Sequence, residues 1–236
     1  MNQWDGLVDT FGCSWEEEIV PETAADNICI AWPSINQCIE SHFTEPLGRK
    51  ALDFGCGGGL FCRALAQRGF SVTGFDTSIK LAESARRNIS NNISITTSET
   101  QMLDNGGYDL ISSIMVLQFI EDIDATISKL VSVLNKNGLL VFAVFNPEFI
   151  EDNSECAAFS GFKDYRSGYM ELKQGLKIPV YNRSREEYES LFKAVGLEEV
   201  YVDYPEFDQE FLSKYEMPFS TAFSEFQIQG FKRTGA

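Results

Sequence analysis

Basic side chains are missing from the first 48 residues, where nine carboxylates stand without a single Lys or Arg. Over the whole chain 35 acidic side chains face 19 basic ones, a net charge of −16. Such a field repels phosphate backbones and anionic lipid, so neither nucleic acid nor a membrane is expected as a partner; a small or cationic molecule fits better. Histidine is nearly absent, with His42 alone, and the six cysteines (Cys13, Cys29, Cys38, Cys56, Cys62 and Cys156) include no C-x-x-C pair. No metal site is therefore expected, and His42 reads as a packing or surface residue. The longest apolar run, Leu139 to Phe145, is far too short to span a membrane, and no basic-led hydrophobic leader opens the chain. These absences together suggest a cytoplasmic protein with reduced thiols.

What is present is a glycine cluster in an informative place. Leu52-Asp53-Phe54 is a short apolar run that breaks into Gly55-Cys56-Gly57-Gly58-Gly59, directly before Leu60, Phe61, Ala64 and Leu65 at helical spacing. That order reads as strand, tight turn and helix N-terminus, with glycines that accept positive φ and let a ligand approach bare backbone. Val72-Thr73-Gly74-Phe75-Asp76 reads as a second strand ending in a carboxylate, about 20 residues on, where a ribose-binding acid is expected.

The alternation of β-like and helix-like segments from Arg49 to Phe145 predicts a doubly wound, Rossmann-like α/β fold: a seven-stranded, mostly parallel sheet with an antiparallel last strand and helices on both faces. Further strands are expected at Asn92–Thr97, Tyr108–Ile114, Leu139–Phe145, Leu197–Val202 and Phe226–Phe231. The apolar face Ile123, Ile127, Leu130, Val131 and Leu134 predicts a helix stopped by Asn137-Gly138, and Ser184-Arg185-Glu186-Glu187 is a capping box for a helix ending at Gly196. One domain is expected, with an N-terminal helical or lid segment at 1–48, a cofactor-binding core at 49–145, an aromatic insertion at 146–182 that forms part of the acceptor pocket, and a C-terminal part at 183–236.

In combination, Asp53 to Gly59 with Asp76 resembles the first two motifs of class I S-adenosylmethionine-dependent methyltransferases. Tyr108 to Phe119 resembles that family's fourth strand and following loop, with Gln118 where the family often has histidine. Arg183 to Leu197 is similar to the late helix and strand of its small-molecule members. The resemblance implies S-adenosyl-L-methionine as cofactor and S-adenosyl-L-homocysteine as product. It implies that Gly55, Cys56, Gly57 and Gly59 run along the methionine and ribose, and that Asp53 holds the loop and the methionyl amino end. Asp76 would accept from both ribose hydroxyls, Thr77 and Ile79 would flank the adenine, and Met115 would line the site. Ser98 or Glu99 would meet the adenine amino group, the two remaining open.

Methyl transfer from a sulfonium is an in-line displacement in which proximity and desolvation carry most of the catalysis. No triad is required and no catalytic residue is assigned; Gln118, Glu148, Tyr165, Tyr169 and Tyr181 are expected around the acceptor pocket, under an aromatic lid that includes Trp4, Phe11, Trp15 and Trp32. The acceptor is expected to be a small metabolite methylated at O or N. A non-catalytic cofactor-binding regulatory partner stays as the alternative. An NAD-dependent oxidoreductase fits less well, because its fingerprint wants Gly or Ala where Leu60 stands and a second nucleotide-binding half is not found.

Overall fold

The computed structural model describes residues 2–11, 20–87, 89, 92–156, 158–159, 161–162, 166–172 and 175–234. Strands β1 (Lys50–Phe54), β2 (Ser71–Phe75), β3 (Ile93–Thr96), β4 (Tyr108–Ile114) and β5 (Leu134–Phe145) pair in parallel. β6 (Ser167–Leu172) and β7 (Leu176–Tyr181) form a separate antiparallel hairpin. β8 (Leu197–Asp203) and β9 (Phe226–Arg233) complete a seven-stranded sheet in the order β3-β2-β1-β4-β5-β9-β8, with β9 antiparallel to both neighbours. The architecture is the doubly wound one expected, and its order reverses between β1 and β4. Ligands bind at such a switch point, outside the carboxyl ends of the strands.

Helices α1 (Val8–Phe11), α2 (Trp32–His42), α3 (Leu60–Gln67), α4 (Ile79–Arg87), α5 (Glu99–Asp104), α6 (Ile123–Val133), α7 (Pro147–Asp152), α8 (Arg185–Ala194) and α9 (Gln209–Lys214) surround the sheet. Side chains alternate across a strand, so Leu110 and Val141 face one core while Ile111 and Phe142 face the other. The first core receives Ile35 and Ile39 of α2, Phe61 and Leu65 of α3 and Ala82 and Ala85 of α4. The second receives Met102 of α5, Ile127 and Leu130 of α6 and Tyr188 and Phe192 of α8. From Leu139 to Phe145 every residue of β5 is buried, because β4 and β9 cover its edges and helices its faces.

One expectation is corrected. Asn137-Gly138 does not stop α6: the helix ends at Val133, whose carbonyl accepts from Gly107 N, and Leu134 already pairs with Tyr108. Asn137, at φ 62, sits in the irregular stretch where the β4–β5 register shifts, so the turn signal was real but marked an irregularity in the strand. The described residues of the stretch after Phe145 are more than bare loop. They hold α7 and the β6–β7 hairpin around a third apolar cluster of Phe145, Phe149, Phe159, Phe162, Met170 and Val180.

The capping box is formed as expected: Ser184 Oγ accepts from Glu187 N at 3.3 Å, and Glu187 Oε2 accepts from Ser184 N at 2.8 Å. Replacing Ser184 by alanine leaves one orphan N–H at the start of α8 and is expected to cost about 1 kcal/mol. Urea denaturation reads this as a lower midpoint at unchanged slope. Among the described residues, no helix is long and apolar enough to cross a membrane.

Candidate active site

The turn between β1 and α3 is held by backbone geometry that only glycine adopts easily. Gly55, Gly57 and Gly59 have φ of 80°, 51° and 82°. Gly55 N and Cys56 N both donate to Phe75 O, at 2.7 and 3.0 Å, which latches the turn onto the end of β2. A Cβ at Gly55 would drive into the side chain of Val116, just past β4, whereas one at Gly57 would find nothing nearer than Phe11 O at 3.8 Å. The turn is therefore packed on one side and bare on the other.

Asp76 closes the far side. Its Oδ2 accepts from Gly57 N at 2.9 Å and its Oδ1 from Ser78 N at 2.8 Å, so the carboxylate faces the turn in a set orientation. Burial raises its pKa against the pull of those two bonds. Asp53, at the end of β1, is fully buried and accepts from Ser112 Oγ at 2.8 Å and from Cys62 Sγ at 3.3 Å. Burial pushes its carboxyl up to about 6, and the Asp76 charge adds to the effect. Two desolvated acids beside bare backbone make a site that favours a positively charged ligand and opposes a pyrophosphate.

The remaining predicted residues flank this pair unevenly. Thr77 Oγ1 accepts from Asn2 Nδ2 at 3.1 Å, and Ile79, starting α4, is 59% exposed. Ser98 caps α5 by accepting from Gln101 N, while Glu99 is turned outward to Lys129 at 2.8 Å. Met115 directly follows β4, at φ 56°, with its N donating to Ala143 O at 2.8 Å. Gln118 is buried beside it, with Nε2 reaching Met115 Sδ at 3.7 Å and Oε1 without a partner. His42 stacks edge-on against Phe43 and bonds Asn137 O, a packing role as read.

Tyr169 on β6 is 54% exposed, and Glu148 in the first turn of α7 is exposed as well. Tyr181 lies beneath the Arg183 guanidinium at 5.5 Å. Tyr165, Trp15 and Cys13 lie outside the described residues.

Within the N-terminal segment, where a lid is expected, residues 2–11 form a strap. Asp5 Oδ1 accepts from Ser78 Oγ at 2.7 Å and Lys80 N at 3.3 Å, Phe11 O accepts from Gly58 N at 3.1 Å, and Trp4 packs edge-on against Phe119. It thus bonds to the glycine turn, to the residues after Asp76 and to the β4 loop. Each contact joins positions far apart in sequence, and no local pattern announces them.

A glycine turn latched to an acid at the end of the next strand, on a sheet of this order, defines the class I S-adenosylmethionine-dependent methyltransferase fold. A family described as a methyltransferase domain matches residues 34–202, and the chain belongs to that family. Over 102 residues it is 33% identical to a ubiquinone biosynthesis O-methyltransferase of Bartonella tribocorum, which covers 41% of this chain and 41% of that protein. The chain thus matches only about two fifths of the length of that curated relative. Among solved structures, an S-adenosylmethionine-dependent methyltransferase of Listeria monocytogenes superposes with TM-score 0.71 at 19% identity, covering 87% of this chain and 98% of that one. A magnesium protoporphyrin IX methyltransferase of Synechocystis with bound S-adenosylmethionine gives 0.63 at 17% identity, covering 99% and 92%. At these identities the structures speak to the fold.

Proposed function

We propose that the chain transfers a methyl group from S-adenosylmethionine to an oxygen or nitrogen of a small organic molecule. The observation that carries this reading is the Asp76 carboxylate, oriented by Gly57 N and Ser78 N across a turn whose Gly57 face is open backbone. When bound, the sulfonium supplies a methyl carbon already activated for displacement.

In this reading Asp76 accepts from both ribose hydroxyls, each carboxylate oxygen keeping a lone pair beyond its backbone bond. The backbone of Gly55, Cys56, Gly57 and Gly59 runs along the methionyl and ribose portion, and Asp53 attracts the methionyl ammonium. Thr77 and Ile79 border the adenine, and Ser98 or Glu99, the latter paired with Lys129, meets its amino group. Met115 and Gln118 stand at the end of β4, where the acceptor meets the methyl group. Residues 2–11 act as the lid of the N-terminal segment, and the stretch 146–182 closes the acceptor side over its phenylalanine cluster. Alignment and water exclusion do the catalysis. The acidic surface favours a small or cationic acceptor over nucleic acid, and the free thiols of Cys29, Cys38, Cys56, Cys62 and Cys156 suit a reducing cytoplasm.

Calorimetric titration with S-adenosylmethionine and S-adenosylhomocysteine tests the donor; absence of binding at sub-millimolar ligand would sink the reading. Binding without transfer across a broad acceptor panel would support a regulatory protein instead.

Proton linkage at Asp53 supplies a sharper check. Its folded pKa of about 6 lies above the ordinary 3.8, so this group favours folding below pH ~4, and that contribution is lost as pH rises through ~6. The 2-unit difference corresponds to roughly 3 kcal/mol. A ligand ammonium that stabilises the ionised carboxylate recovers part of it, so cofactor affinity is expected to tighten by up to about tenfold from pH 5 to pH 7 and then level off. Asp53→Asn removes that slope. A flat affinity profile in the native protein would detach Asp53 from the ammonium.

A further inference from the structure

Beyond β5 lies a buried cluster of acceptor groups that the transfer chemistry above leaves unused. Glu225 immediately precedes β9 and is only 5% exposed. Its carbonyl accepts from Asn146 N at 2.8 Å, and Asn146 Nδ2 donates to Ser224 O at 2.9 Å, which pins the residue at the carboxyl end of β5. That position is one strand along from the Met115 end of β4, on the edge where the cofactor crevice opens. Glu225 Oε2 is buried without a hydrogen-bond partner.

Asp26, half-buried, leads into the helical turn Asn27–Ala31 before α2, and its negative charge raises the Glu225 carboxyl further. Asp26 Oδ1 accepts from Asn27 N at 2.7 Å and Asn27 Nδ2 at 3.2 Å, which leaves Asn27 Oδ1 buried and unpartnered. Among the described residues no Lys, Arg or His forms an ion pair with either acid. Lys214, on the nearby α9, sits over the Tyr215 ring at 5.3 Å. Burial holds both carboxyls above the ordinary range.

An unpaired acid in the interior is destabilising, and a purely structural position would be filled as well or better by an apolar or amide side chain. Two carboxyls and an amide oxygen, with donors lacking, are complementary to a group that brings donors and positive charge together. An ammonium has three donors and no acceptor; a hydroxyl brings one donor and would leave the acids unmatched.

We propose that Glu225, with Asp26 and Asn27, binds an ammonium group of the methyl acceptor and so selects amine-bearing small molecules. This rests on the methyl-transfer reading, since it places the acceptor beside the crevice assigned to the donor. The ammonium is an anchor and need not be the atom that is methylated.

The test uses primary amines from ethylamine to 2-phenylethylamine, each paired with the alcohol of the same skeleton, titrated calorimetrically into the full chain with and without S-adenosylhomocysteine. At least one amine is expected to bind ten times or more tighter than its alcohol, and Glu225→Gln to erase that preference while S-adenosylhomocysteine affinity stays within twofold. Glu225→Gln keeps the shape and removes the buried acid, so its melting temperature should not fall; Asp26→Asn is the second variant and should weaken amine binding in the same direction. Equal affinities within every pair, no amine binding at all, or a preference that survives both substitutions would overturn the proposal. Failure of S-adenosylhomocysteine to bind would instead strike the donor assignment, and the amine comparison then stands on the ligand-free protein.

Discussion

Gly55→Ala is expected to lose at least a hundredfold in S-adenosylmethionine affinity while remaining folded. Two effects combine. At φ 80° an L side chain carries a penalty of roughly 1–2 kcal/mol, and the new Cβ would overlap Val116, lying 2.9 Å from its Cγ1 and nearer still to Cγ2. Valine is branched at Cβ and stiff at χ1, so it cannot swing clear. Relief must come from the turn, which tears Gly55 N and Cys56 N from Phe75 O, or from the β4 loop, which carries Met115 and Gln118. Either movement reshapes the crevice from both sides. Gly196→Ala is the control: its φ of 84° imposes the same backbone strain, but a Cβ there meets nothing within 4 Å. That variant should lose about 1 kcal/mol of stability and keep native affinity. Should Gly55→Ala bind as well as Gly196→Ala, the turn is not the cofactor cradle.

Asp76→Asn is the second substitution with a large expected effect, again about a hundredfold in affinity, with kcat at saturating cofactor nearly unchanged. The asparagine is isosteric, so packing is kept. Two backbone N–H groups, from Gly57 and Ser78, point at the two carboxylate oxygens. An amide offers only one oxygen, and its NH2 must confront a donor of the same kind, losing a bond on one side or the other. It also exchanges charge-assisted bonds to two hydroxyls for at most one neutral bond, and hydrogen bonds to charged groups contribute roughly 1.5–3 kcal/mol each. A change smaller than threefold would remove Asp76 from the ribose. Substrate affinity at fixed, saturating cofactor separates this from a general loosening, which would raise both constants.

The glycine turn and Asp76 were legible in the sequence because their signals are local. Steric exclusion at positive φ acts on one residue at a time, and the acid follows its strand directly. The strands at Tyr108 and Leu139 were legible for the same reason, as dense apolar runs with turn residues before them. The hairpin of β6 and β7 was hidden: Pro179 and Gly168 lie inside its strands, and its stability comes from packing Met170 and Val180 against Phe159 and Phe162 rather than from strand propensity. Asn137-Gly138 misled because a positive-φ residue such as Asn137 ends a helix and kinks a strand with equal ease. Glu225 was silent since its meaning depends on Asp26, nearly the whole chain away, and on burial that composition does not report. A lid was expected from the aromatic N-terminal residues, but the partners of residues 2–11 were silent for a similar reason, being backbone atoms and hydroxyls of no distinctive pattern.

That strap also bears on time. Phe11 O on Gly58, Asn2 on Thr77 and Asp5 on Ser78 and Lys80 tie it across both sides of the crevice. If the segment is the lid of the proposed reading, exchange of spent cofactor for fresh requires these bonds to part together. Opening of that kind belongs to the microsecond-to-millisecond range and often sets the pace of turnover. A clock built this way would run faster when Asp5 is shortened to alanine, even as the bound cofactor is held less firmly.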